Sequence, residues 1–125
     1  MRLALIPPKG YHMRALKGSA LMSLSIPSYH NSFEWNSVVR AAQNTRKGTF
    51  YHILDNGAAE GELCDPATLV TYAQHIHADE IVSPDVLRDY EGTIKANQEF
   101  FDKAPLGFTK FNWMGVLQGD NEDDL

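Results

Sequence analysis

Three polar residues stand just past apolar, strand-like runs: Asp55 after Thr49–Leu54, Asp85 after Glu80–Ser83, and Gln118 at the end of Phe111–Leu117. A carboxylate accepts hydrogen bonds or relays a proton, and a glutamine amide donates and accepts at once. Together they could read a polar ligand or run acid–base chemistry. Each also has a purely structural explanation. Asp55-Asn56-Gly57 can be a tight turn, because Asn-Gly favours positive φ. Asp85 follows Pro84 and can be a first-turn helix acid that complements the macrodipole. Gln118-Gly119 can simply end a strand. Their shared position raises all three, since ligand sites in parallel α/β sheets lie beyond the carboxyl ends of the strands.

Other chemistry-bearing residues carry weaker patterns. His75 and His77 are two apart, so on a helix they point to different faces and cannot jointly clasp a metal. His52 lies inside an apolar run and reads as a core histidine, while His12 and His30 sit in loop-like sequence. Cys64 precedes a helix start that could stabilise a thiolate, but no base partner is visible. Neither GxGxxG nor GxxxxGK[ST] occurs among the glycines.

The elements that must hold these residues alternate. Arg2–Pro7 is a short apolar run ended by prolines and predicts a first strand. The region from Pro7 to Pro27 is the least regular, with Leu21–Ile26 loosely alternating and readable as extended. Asn31 with Glu34 three residues on resembles a capping box. Trp35, Val38, Val39 and Ala42 then recur at helical spacing until Lys47-Gly48. Thr49–Leu54 is rich in β-branched and aromatic residues and predicts a strand. Asp65-Pro66 supplies an N-cap and a first-turn proline for a helix with the stripe Leu69, Ala73, Ile76, ending near His77. Glu80–Ser83 predicts a strand, and Ser83-Pro84-Asp85 predicts the start of a longer helix with Val86, Tyr90, Ile94 and Phe101 along one face. Phe111–Leu117 predicts a last buried strand. Strand and helix in alternation are the signature of right-handed βαβ crossovers, so the expected class is α/β with a parallel sheet.

Composition narrows the function classes. The chain has 125 residues, of which 43% are hydrophobic, 10% aromatic and 22% charged, which fits one soluble domain and excludes disordered, collagen-like and membrane chains. No apolar run is long enough to span a bilayer and the start lacks a signal-peptide stretch, so the expected setting is cytoplasmic, without a membrane partner. A single cysteine excludes an internal disulfide, and no structural zinc spacing is present. Asp120, Glu122, Asp123 and Asp124 form an acidic tail over 120–125; without their four charges the net −5 of the chain falls to about −1. A near-neutral body argues against holding nucleic acid by phosphate neutralisation alone.

Read together, Tyr51–Gly61, Ala78–Asp89 and Trp113–Gly119 resemble the tRNA-guanine transglycosylase family, and most nearly its phage-type branch, associated with placing 7-deazaguanine bases in DNA. The resemblance runs from about Thr49 to Gly119. It implies a (β/α)8 barrel that exchanges guanine in a nucleic acid, tRNA or DNA, for a 7-deazaguanine through a covalent enzyme–ribose link, in a host cytoplasm if the chain is phage-encoded. Asp55 falls where the family has its general acid/base aspartate, in a motif that reads Asp-Asn-Gly-Ala-Ala-Glu rather than Asp-Ser-Gly-Gly-Phe-Gln. Asn56 and Gly57 of that motif fall among the base contacts. Asp85 matches the base-recognising aspartate, at the end of Ile-Val-Ser-Pro-Asp rather than Ala-Phe-Asp-Glu-Cys. Gln118 and Gly119 match the Gln-Gly that closes on the base carbonyl. The chemistry is coherent in its own right. Guanine presents N1–H and an exocyclic amine beside the O6 acceptor, a carboxylate can accept both donors, and a glutamine amide can donate to O6.

A barrel of this type takes about 250 residues, and 125 cover roughly half of one. The expectation is therefore a single domain over 1–125 forming the N-terminal half of a barrel, truncated or split. The family's nucleophile and zinc ligands would lie in the other half, so no cofactor is expected in this chain. The expected partners are a guanine or 7-deazaguanine base, a nucleic acid, and a complementing chain or a second copy. Two other readings stand beside it: a non-catalytic module that binds a guanine-like base or a partner subunit, and a small α/β hydrolase or lyase using Asp55 and Asp85 as an acid/base pair.

Overall fold

A computed structural model describes residues 4–5, 22–25, 33–45, 50–59, 61, 64–104, 108–116 and 118. Five strands, β1 (Ala4–Leu5), β2 (Met22–Ser25), β3 (Tyr51–Leu54), β4 (Glu80–Val82) and β5 (Asn112–Met114), form one sheet in the order 1-2-3-4-5. Every pairing is parallel. Three α-helices are described: α1 (Phe33–Thr45), α2 (Pro66–Ile76) and α3 (Tyr90–Asp102). The class is α/β, as the alternation predicts. Sheet order equal to chain order means that each crossover advances in the same direction. With right-handed crossovers, helices then fall on one face of the sheet, unlike doubly wound sheets whose strand order reverses.

Side-chain packing agrees with this winding. Leu54, Ile81 and Trp113 are register partners across β3, β4 and β5. They lie in one cluster with Leu69, Val70, Ala73 and Ile76 of α2 and Phe100 of α3. Leu54, Ile81 and Ala73 are fully buried, and each large aliphatic side chain so removed from water stabilises by about 1.5–3 kcal/mol. Arg40 and Gln43 of α1 donate to the carbonyls of His75 and His77 at 3.4 and 2.8 Å, joining α1 to the end of α2.

Local sequence explains α2 closely. Asp65 accepts from the Ala67 and Thr68 amides at 3.0 and 3.2 Å, with Pro66 in the first turn. His77 ends the helix in the left-handed region (φ 54°), and the Ala78 amide reaches back to the Ala73 carbonyl at 2.9 Å. The cap expected at Asn31 lies outside the described residues, although α1 itself is present with Val39 and Ala42 buried. Met22–Ser25, readable only as extended from its sequence, is a full member of the sheet.

The third helix corrects the sequence reading. Helix α3 begins at Tyr90, with Asp89 as N-cap accepting from the Gly92 amide at 2.8 Å, and residues 83–89 are a loop. The expected stripe of Val86, Tyr90, Ile94 and Phe101 is exposed; Thr93 and Phe100 are the buried residues of the helix. Tertiary bonds hold the loop out of helical geometry. Thr93 Oγ1 accepts from the Val86 amide (2.9 Å) and donates to the Val86 carbonyl (3.1 Å), and Asn97 Nδ2 donates to the Pro84 carbonyl (2.7 Å). Asp85 therefore lies four residues before the N-cap and is not a first-turn helix acid.

Candidate functional site

The carboxyl ends of β3, β4 and β5 converge on Asp85. Past β3 the chain passes through Asp55 and Asn56 to Gly57, whose φ of 79° is the left-handed turn that glycine permits. Past β4 the Ser83 amide donates to the Met114 carbonyl at 2.8 Å, extending the ladder to β5 by one residue before Pro84 ends it. Past β5, Gln118 returns over the loop after β4.

The Asp85 side chain is almost wholly buried, and each of its oxygens accepts one amide. Asn56 Nδ2 donates to Oδ1 at 2.6 Å, and Gln118 Nε2 donates to Oδ2 at 2.6 Å. Backbone groups fix the polarity of both amides. Asn56 Oδ1 accepts from the Ala58 amide at 2.7 Å, while its Nδ2 also donates to the Ser83 carbonyl at 2.6 Å. Gln118 Oε1 accepts a long 3.4 Å contact from the amide of Arg88, a residue in the left-handed region at φ 58°. An Arg in that region is uncommon and costs about 1–2 kcal/mol. Three strand ends are thus tied through one buried carboxylate.

The structure brings Asp85, Gln118 and Asn56 into direct contact. Asp55 stands beside Asn56 at the end of β3, half-buried; it follows Ile53 on the face opposite Leu54 by strand alternation. Gly57 is buried in the turn behind them. Gly119 and the acidic tail lie outside the described residues. Two participants escaped the sequence reading. One is Ser83, whose carbonyl accepts from Asn56 and whose buried hydroxyl has no hydrogen-bond partner among the described residues. The other is Thr93, which ties the site loop to α3. A register with Leu54 opposite Ile81 places Asn56 level with Ser83, and that is the signal which could have paired them.

A second polar cluster occupies the amino ends of the same strands. Asn112 Nδ2 donates to the Tyr51 hydroxyl at 3.0 Å. Burial foremost, with the charges of Glu80 and Asp79, pushes the Tyr51 phenol up, against the opposing effect of the Asn112 bond. His52, next in β3, is fully buried and stacks on Phe50 at 6.4 Å; burial holds its imidazole at about 4, neutral near pH 7. Neither group adjoins the carboxyl-end site.

Among the described residues no three His, Cys, Asp or Glu side chains come together to hold a metal ion. Among them, too, no helix is long and apolar enough to cross a membrane. Comparisons with protein-family models, curated proteins and solved structures return no match to this chain.

Proposed function

We propose that this chain is the N-terminal, base-recognising half of a (β/α)8 barrel that exchanges guanine in a nucleic acid for a 7-deazaguanine. The carrying observation is the Asp85 carboxylate with the Gln118 amide bonded to one oxygen, at the carboxyl ends of neighbouring parallel strands. One proton of Gln118 Nε2 lies on Asp85; the other meets no acceptor among the described residues and remains a donor. Asp85 and Gln118 therefore present an acceptor beside a donor. This is the complement of the N1–H and O6 edge of guanine, with a second carboxylate lone pair left for the exocyclic amine. Adenine offers the reverse pattern and would leave a buried carboxylate unmatched, which costs several kcal/mol in a dry pocket, on the order of 100-fold or more in affinity.

Winding supports the barrel. Five parallel strands in chain order follow the (β/α)8 pattern, whose functional residues sit at strand carboxyl ends. In this reading Asp55 manages the proton that a departing purine requires, and a complementing half supplies the carboxylate that captures the ribose. Calorimetric titration of the full chain with 7-deazaguanine tests the proposal: the expected result is saturable binding that Asp85→Ala weakens at least about 30-fold, from loss of charge-assisted bonds. Equal affinity in the two proteins rejects it.

A further inference from the structure

We infer that Asn56 is a positioning residue for Asp85 and does not contact the ligand: its amide aims the carboxylate at the bound base. The inference rests on the reading of Asp85 as the base-binding carboxylate. Asn56 has been placed so far by sequence among the base contacts, and its bonding in the structure points elsewhere. Its side chain is only 3% exposed. Both protons of Nδ2 have acceptors at 2.6 Å, the Ser83 carbonyl and Asp85 Oδ1, and Oδ1 takes the Ala58 amide at 2.7 Å. An amide so engaged has no donor to offer a ligand. The bond to the Ser83 carbonyl fixes Asn56 to the end of β4, two residues before Asp85. The Ala58 amide fixes the same group to the turn after β3. The carboxylate is thereby referenced to two strands at once, which holds its plane.

The roles of the two amides then divide. Gln118 is half-buried and, among the described residues, anchored at Oε1 only by the long contact from Arg88, so it retains a proton and the freedom to adjust to a base. Asn56 is the fixed reference.

Asn56→Asp tests this, because the substitution keeps the shape and the acceptor for Ala58 but replaces the donor with a second carboxylate against Asp85. Two carboxylates at that distance share a proton and titrate as a pair. In the full chain, 7-deazaguanine affinity is expected to fall about 10–100-fold at pH 7.5. It should return towards the wild-type value as the pH drops to about 5, where the shared proton restores a donor. Loss that is the same at both pH values assigns Asn56 a structural role only and overturns the inference. A readout without any substitution covers a variant that does not fold: in wild-type protein, nuclear magnetic resonance should show the Asn56 side-chain protons protected from exchange and unmoved by 7-deazaguanine, with the Gln118 protons shifting. Shifts of the Asn56 protons by the base would place it in contact and refute the inference. If wild-type and Asp85→Ala proteins bind equally, the base-recognition reading fails instead; protection of the Asn56 protons without ligand still decides whether Asn56 holds the carboxylate.

Discussion

Acidification should weaken this fold through one identifiable side chain, His52. Its imidazole is fully buried in β3 and held by burial at about 4, against 6.5 for a free histidine. Between those values the unfolded chain binds a proton that the folded chain refuses, so stability falls as the pH is lowered through the interval and is fully present above about 6.5. The difference of about 2.5 pH units, at 1.36 kcal/mol each, amounts to about 3 kcal/mol. That is a large part of the 5–15 kcal/mol by which folded domains usually exceed their unfolded states, about 10 kcal/mol at mid-range. Urea unfolding followed by tryptophan fluorescence at pH 7.5, 5.5 and 4.5, on wild type and His52→Leu, isolates the contribution, since the carboxylates titrate in both proteins. Wild type should lose about 3 kcal/mol more than the variant across that range. Parallel curves for the two proteins would show that His52 keeps its proton when folded, and the neutral-core account of β3 would be wrong.

Two further substitutions probe the loop that carries Asp85. Thr93→Val keeps the shape of a buried residue but leaves the Val86 amide and carbonyl without their partner. It should cost about 1–3 kcal/mol in chemical unfolding and also weaken 7-deazaguanine binding, whereas an unchanged midpoint would deny Thr93 its anchoring role. Ser83→Ala removes a buried hydroxyl that has no partner among the described residues. It should leave stability unchanged or raise it by up to about 1 kcal/mol, and a lower melting temperature would contradict the assignment of that oxygen as unpaired.

How far the sequence reveals this molecule depends on whether a signal is local. Asp65-Pro66 and the stripe Leu69, Ala73, Ile76 act within one helix, and α2 forms where they predict it. Thr49–Leu54 has the β-branched and aromatic content of a buried strand, and β3 is one. Ser83-Pro84-Asp85 carries the same local chemistry as Asp65-Pro66 and yet starts no helix. Asn56 and Gln118 take the Asp85 carboxylate that would have stood in its first turn, and Thr93 takes both backbone groups of Val86. Those partners are 29, 33 and 7 residues away in sequence, and only the last is within reach of a local pattern. Asp85 lies three residues past β4, as the order of strands suggests, whereas Gln118 lies four residues past β5, which spans only Asn112–Met114 instead of the expected buried run Phe111–Leu117. The Asn56 clamp was not legible, because it depends on a strand register that no residue type encodes.

The central claim is that Asp85 and Gln118 together offer an acceptor next to a donor to one heterocyclic edge. Its most direct measurement compares 7-deazaguanine with 7-deazaadenine by calorimetry on the full chain at pH 7.5. The guanine analogue should bind on the order of 100-fold more tightly, and Asp85→Ala should abolish the preference. Equal affinities for the two analogues, or a preference for 7-deazaadenine, would contradict it.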